Sequence, residues 1–320
     1  MSTITHRFIE TNGIRLHLAE QGTGPLVVFL HGFPECWYSW RHQLAALAGA
    51  GYRAVAPDQR GFGETDRPGT VEDYTILHTL GDLIGVLDAL GEERAVVVGH
   101  DFGSRPAWTG GLVRPDRIRS VVGLSVPFVP RGPVAPIAGL RATMGERFYQ
   151  VYFQQPGPAE VEFERDVRTT IRKLLYGLSG DVPDVPTPVV PEVGELLDIF
   201  DNPAVLPPWL NEEDLDVYER AFSRTGFSSA LNWARNFDRN WELMAPWAGA
   251  KVEVPALFVS GERDHVGHFP GMGELIANLQ EFVPKLTRTI ILPGCGHWTQ
   301  QERADEVNAA VVGFLEDLPP

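Results

Sequence analysis

The sequence predicts an α/β protein built on a mostly parallel sheet, with helices on both faces and a helical insertion past its middle. Three observations point there. Short apolar, β-branched runs alternate with helical patterns, the rhythm of parallel strands joined by crossover helices. Several of these runs end in glycine-rich loops that carry polar residues. The rhythm breaks at Pro127-Phe128-Val129-Pro130-Arg131-Gly132-Pro133 and resumes near Val252, leaving an aromatic-rich, mainly helical stretch between.

Taken in order, the segments 6–11 and 14–20 read as an antiparallel hairpin turning at Asn12-Gly13. Strands follow near 26–30, 53–57, 95–99, 118–124, 256–260 and 287–292. Helical patterns lie near 40–50, 76–90, 104–113 and 304–317. Within the insertion, Pro183, Pro186, Pro188 and Pro191 form a second proline cluster, which stiffens loops and interrupts helices. The organisation expected is a core in two parts, 1–129 and 246–320. Residues 130–245 form a cap over the strand ends, where ligands bind in open α/β sheets.

Composition narrows the function. A chain of 320 residues can bury a full core. A net charge of −15 argues against nucleic acid or an anionic membrane as partner. Two cysteines, Cys36 and Cys295, make no disulfide framework and fit a reduced cytoplasm. The segment Met1–Arg7 lacks the apolar core of a signal peptide, and no apolar run is long enough to span a bilayer. Metal-ligand spacing, phosphate-binding loops and repeats are missing from the sequence. A soluble cytoplasmic protein without cofactor or metal is expected.

The chemistry centres on Ala95-Val96-Val97-Val98-Gly99-His100-Asp101-Phe102-Gly103. A β-branched run ends in Gly-x-Asp-x-Gly and helix-compatible sequence follows, the setting of a nucleophile elbow. The bland alternative is an Asp capping a helix N-terminus. A carboxylate at the elbow attacks carbon directly and forms an ester, with no proton to be stripped first. The strand Pro25–Leu30 runs into His31-Gly32-Phe33-Pro34, whose loop would supply one oxyanion N–H, from Phe33, with Phe102 giving the other. Two later strands end in Gly261-Glu262-Arg263-Asp264 and in Gly294-Cys295-Gly296-His297-Trp298. Nucleophile, acid and histidine thus come in the chain order this elbow requires. His297 would activate water against the ester, and Asp264 would orient the imidazole and stabilise its cation.

The segments His31-Gly32-Phe33-Pro34-Glu35-Cys36-Trp37-Tyr38-Ser39-Trp40-Arg41, Asp58-Gln59-Arg60-Gly61-Phe62-Gly63, Gly99–Gly103 and Cys295-Gly296-His297-Trp298-Thr299-Gln300 resemble the α/β-hydrolase-fold epoxide hydrolases of the soluble type. The similarity covers nearly the whole chain in one register. It implies an eight-stranded sheet with a helical cap, and a small apolar epoxide and water as substrates. The family usually has Trp directly after the nucleophile, where this chain has Phe102. It also uses two cap tyrosines to protonate the epoxide oxygen. Phe148-Tyr149-Gln150-Val151-Tyr152-Phe153 resembles the first motif and places Tyr149 as the acid. Leu231-Asn232-Trp233-Ala234-Arg235-Asn236 resembles the second, but Ala234 holds the tyrosine position. A slower hydrolase with one acid, a pocket enlarged by the space of a phenol ring, and a deliberately altered protein all fit. The pocket implied by the resemblance draws on Pro34, Trp37, Gln150, Trp233, Ala234 and Trp298.

Arg105, in the first turn after the elbow, opposes the helix dipole and calls for a compensating carboxylate. Fluoroacetate dehalogenases are similar here and bind the substrate carboxylate with arginines just after the nucleophile. A dehalogenase is therefore the second reading, with Tyr149 against it. A non-catalytic small-molecule receptor on the same fold is a third.

Overall fold

The computed structural model describes residues 3–319, so Met1 and Ser2, the start of the segment read for a signal, lie outside the described residues. Eight strands form one sheet: β1 (Thr5–Thr11), β2 (Ile14–Gln21), β3 (Leu26–Leu30), β4 (Arg53–Pro57), β5 (Ala95–His100), β6 (Ile118–Leu124), β7 (Ala256–Gly261) and β8 (Leu286–Leu292). Their spatial order is β1-β2-β4-β3-β5-β6-β7-β8. The pairs β1–β2 and β2–β4 are antiparallel and the other pairs are parallel. Asn12 and Gly13 turn the opening hairpin with φ of 48° and 76°, left-handed values that Asn and Gly adopt most readily.

Every residue of β3, β5 and β7 is buried, because helices cover both faces of the sheet. On one face Val28, Val55, Val97 and Val121 pack beneath α2 (Ile76–Leu90) and α3 (Ser104–Val113). On the other, Val27, Ala54, Val96 and Val122 meet α1 (Arg41–Gly49) and the C-terminal helix Ala304–Glu316. The alternation follows from the two-residue repeat of a strand. Strand β8 is largely exposed, as befits the sheet's edge.

Between β6 and β7 the chain forms seven helices: α4 (Pro136–Met144), α5 (Tyr149–Tyr152), α6 (Pro158–Glu164), α7 (Val167–Gly177), α8 (Glu212–Thr225), α9 (Ser228–Arg235) and α10 (Phe237–Leu243). The second proline cluster falls in the long connection between α7 and α8, which holds one short 3₁₀ turn. Phe153, Phe163, Phe222, Phe227 and Trp233 of this helical layer share an apolar cluster with Phe62, Phe102 and Trp298 of the sheet half. That shared core fixes the helical layer over the C-terminal ends of the parallel strands. The C-terminal half is completed by α11 (Met272–Ala277), α12 (Thr299–Glu302) and α13 (Ala304–Glu316).

Candidate active site

Parallel strands deliver their following loops to one edge, and there the separated motifs meet. Asp101 follows β5 directly, Asp264 and His297 stand on the loops after β7 and β8, and Phe33 on the loop after β3. Asp101 has φ of 49°, a left-handed conformation costly for a residue with a Cβ. The flanking glycines make the turn possible. A methyl group on Gly99 would strike the Gly103 backbone, and one on Gly103 would strike the backbone of Leu30 and His31.

Within the site, Phe33 N–H donates to Asp101 Oδ1 at 2.8 Å. His297 Nε2 lies 3.6 Å from Asp101 Oδ2, and His297 Nδ1 donates to Asp264 Oδ1 at 3.0 Å. Among the described residues, the Phe102 N–H forms no hydrogen bond to Asp101, although the sequence places it in the oxyanion hole. The electrostatics are those of a cation between two anions. Burial disfavours a charged His297, but the carboxylates of Asp264 and Asp101 outweigh it and hold the imidazole up to about 10. Burial likewise works against the Asp101 carboxylate, and the His297 contact outweighs it, drawing it down to about 2. Asp264 is held well below the usual carboxylate range, again by His297 against burial.

Beneath these side chains lies a second polar layer that sequence reasoning missed. His100 bridges Glu35 and the His297 carbonyl, each at 2.8 Å, and Ser125 Oγ donates to the same carbonyl. Glu35 also accepts from Gly32 N–H and from the side-chain amides of Gln300 and Gln301. The backbone N–H groups of Gly180, Gly296 and Trp298 converge on Glu302, tying the helical layer to the histidine loop. Glu35 and His100 each lie within a motif quoted above, but only the folded chain brings them together.

A cavity opens over Asp101 and His297. Phe33, Pro34, Phe102 and Tyr149 line it, as the sequence leads one to expect. Phe153, Leu174, Leu196 and Phe200 complete an apolar wall, and His265 adds a polar group. His265 directly follows the acid in the same loop, a signal available in the sequence. Burial drives its pKa down to about 3, so it is neutral at physiological pH. The leucines come from a helical layer whose sequence has no motif to mark them.

Five residues expected in the pocket do not line this cavity. Trp37 packs edge-on against His6, with its backbone N–H on Asp58. Trp233 is buried, stacks against Phe102 from behind and donates its indole N–H to the Arg60 carbonyl. Trp298 is fully buried with its indole N–H on the Leu175 carbonyl. Gln150 stands behind Tyr149 and donates to its hydroxyl oxygen at 2.7 Å. Ala234 is completely buried, so the space expected from a missing phenol ring is not open there. The carboxylate expected to pair with Arg105 is not in salt-bridge contact among the described residues, although the charge of Asp101 acts on it from a distance. Its guanidinium instead stacks 4.0 Å from the centre of the Phe237 ring, where aromatic charge substitutes for an anion.

Among the described residues, Asp264, His265 and His297 are close enough together to hold a metal ion. Two of the three are already committed to each other by a hydrogen bond, which metal binding would break.

Comparison with known proteins gives a consistent picture. Residues 25–304 match the family model of the alpha/beta hydrolase fold. The chain is 46% identical to epoxide hydrolase 3 of Siraitia grosvenorii, over 98% of this chain and 99% of that protein. It is 44% identical to epoxide hydrolase A of Mycobacterium tuberculosis, over 99% of each. Among solved structures, an epoxide hydrolase of Vigna radiata superposes with a TM-score of 0.93 at 41% identity, covering 98% of both chains. One from an endophytic Streptomyces gives 0.93 at 47% identity, covering 98% of this chain and 96% of that one.

Proposed function

The chain belongs to the α/β-hydrolase-fold family, and within it to the epoxide hydrolases, and we propose on that premise that it opens an apolar epoxide to a vicinal diol through an ester on Asp101. The observation that carries the residue assignment is the elbow carboxylate, held on one oxygen by Phe33 N–H and backed by the His297–Asp264 pair, with a tyrosine in the same cavity.

The two oxygens of Asp101 have different tasks. Oδ1 is engaged by Phe33 N–H, so Oδ2 attacks the epoxide carbon. The ring C–O bond breaks, its electron pair stays on oxygen, and the Tyr149 hydroxyl supplies the proton. Oδ1 becomes the ester carbonyl oxygen, already at a donor that stabilises negative charge when water attacks. Phe102 N–H is the second such donor, engaged once the intermediate forms.

Ester formation also switches the histidine. In the free enzyme the charges of Asp264 and Asp101 both favour imidazolium. The ester carries no charge, so one of the two supports vanishes; the imidazolium gives up its proton, which restores the Tyr149 phenol, and His297 becomes a base. It then takes a proton from the attacking water while Asp264 holds its Nδ1–H. Hydrolysis to the carboxylate leaves that proton on His297, which is again an imidazolium between two carboxylates, and the sum is epoxide plus water giving diol.

Residues 130–245 act as the cap that closes this site, and its aromatic and aliphatic wall favours apolar substrates. No helix among the described residues is long and apolar enough to cross a membrane. A cytoplasmic location belongs to the same proposal, supported by two cysteines that are free and buried. Single turnover of an aryl epoxide in ¹⁸O-labelled water tests the assignment. The label should enter Asp101 first and the diol only on later turnovers. Label in the first-turnover diol would mean direct attack by water.

A further inference from the structure

We propose that Gln150 is the positioning residue of the acid: its side-chain amide holds the Tyr149 oxygen so that the hydroxyl proton is free for the epoxide, and it then holds the phenolate left behind. The inference rests on the epoxide-opening reading above and names how one phenol serves where the second phenol position is alanine.

Tyr149 is the sole tyrosine lining the cavity among the described residues. Gln150 Nε2 lies 2.7 Å from its oxygen, and among the described residues the hydroxyl donates to no protein acceptor. A phenol oxygen has one hydrogen and two lone pairs. With an N–H arriving on a lone pair, the hydrogen is turned away from Gln150 and left for an acceptor in the cavity. The backbone that carries the amide is itself braced. Gln154 donates to the carbonyls of both Gln150 and Ala234, linking the turn of Tyr149 to the helix where the second tyrosine is missing. Phe153 meets the Tyr149 ring edge-on at 5.5 Å and limits its tilt.

The need for such a partner is electrostatic. Burial, and then the charge of Asp101, push the Tyr149 phenol up, which makes it a reluctant acid. Gln150 and Arg105 act in the opposite sense. When Asp101 bonds to carbon, the electron pair of the breaking ring bond takes the phenol proton, and a negative charge moves to Tyr149 Oη. There it meets the Gln150 N–H directly, while Arg105, which forms no salt bridge among the described residues, contributes its field.

The test is single-turnover kinetics that separate ester formation from ester hydrolysis, with styrene oxide as probe. Gln150→Met keeps the length and removes the donor, and should slow ester formation about 10- to 100-fold, the worth of a hydrogen bond to a charge. Ester hydrolysis should be unchanged, which a merely structural role would not give. Gln150→Glu is nearly isosteric, also lacks the N–H, and should lose at least as much. The loss should shrink for trifluoromethyloxirane relative to 1,2-epoxybutane, because its alkoxide is less basic and asks less of the acid. Added to Tyr149→Phe, the Met substitution should cost nothing further. Unchanged or faster ester formation in Gln150→Met would overturn the inference, since the amide oxygen would then be restraining the proton. So would an equal loss in the Tyr149→Phe background. A wild-type protein that forms no ester on any epoxide would take the underlying reading down with it.

Discussion

His297 stands between two carboxylates, with Nδ1 3.0 Å from Asp264 Oδ1 and Nε2 3.6 Å from Asp101 Oδ2. In the proposed reaction Asp101 is consumed as an ester during turnover, and Asp264 remains. The asymmetry lets a single imidazole be a stabilising cation before attack on carbon and a base afterwards.

Replacing His297 by Gln should therefore separate the two chemical steps. Attack by Asp101 needs no base and survives, whereas hydrolysis of the ester fails. Intact-mass measurement after mixing with an aryl epoxide should find the protein heavier by one substrate. A variant that turns over without a detectable adduct would remove His297 from the hydrolytic step.

The same residue makes stability depend on pH in a definite direction. His297 has a folded pKa of about 10 against an ordinary 6.5, so its contribution is full below pH 6.5 and is lost as pH rises towards 10. Asp101, at about 2 against 3.8, contributes above pH 3.8 and loses that contribution as pH falls through 2. Thermal unfolding of wild type and His297→Gln across this range should show a margin that narrows from pH 6.5 to 10. A margin that widens over that interval would contradict the ion-pair arrangement.

Tyr149→Phe should reduce the rate of ester formation by about 10²–10³, the usual loss for one donor to a developing oxyanion. The melting temperature should hardly move, because the ring contacts with Phe148 and Phe153 are kept. Epoxide opening at the wild-type rate would assign the acid to another group in the cavity, with His265 the first to test.

Ala234→Tyr should not restore a second acid. The position is completely buried and does not line the cavity, so a phenol ring must displace packed neighbours at about 1–3 kcal/mol. A lower melting temperature without faster turnover of small epoxides is expected. A clear rate gain with unchanged stability would mean that the ring finds its way to the reacting oxygen.

Much of this protein is legible in its sequence. The eight strands and the four helical patterns named for the core fall within a residue or two of their positions, because alternating apolar runs and glycine turns are local signals. Asp101, Asp264, His297 and Tyr149 were legible for a related reason. Parallel strands send their following loops to one edge, so residues far apart in the chain converge once the strand ends are recognised. The pocket was not legible in the same way. Trp37, Gln150, Trp233, Ala234 and Trp298 lie near the right motifs, but which face of a helix or loop meets the cavity depends on packing between layers. Tertiary structure alone placed Gln150 behind the Tyr149 oxygen, buried Ala234, and left Arg105 stacked on Phe237 without a salt bridge. It also assembled Glu35, His100 and the His297 carbonyl into one polar layer. Sequence determined the strands, their loops and the reactive groups through short-range propensity and the direction of parallel strands. The protonation of those groups and the shape around them were decided by burial and by charges brought together across the fold, quantities that exist only once the layers have packed.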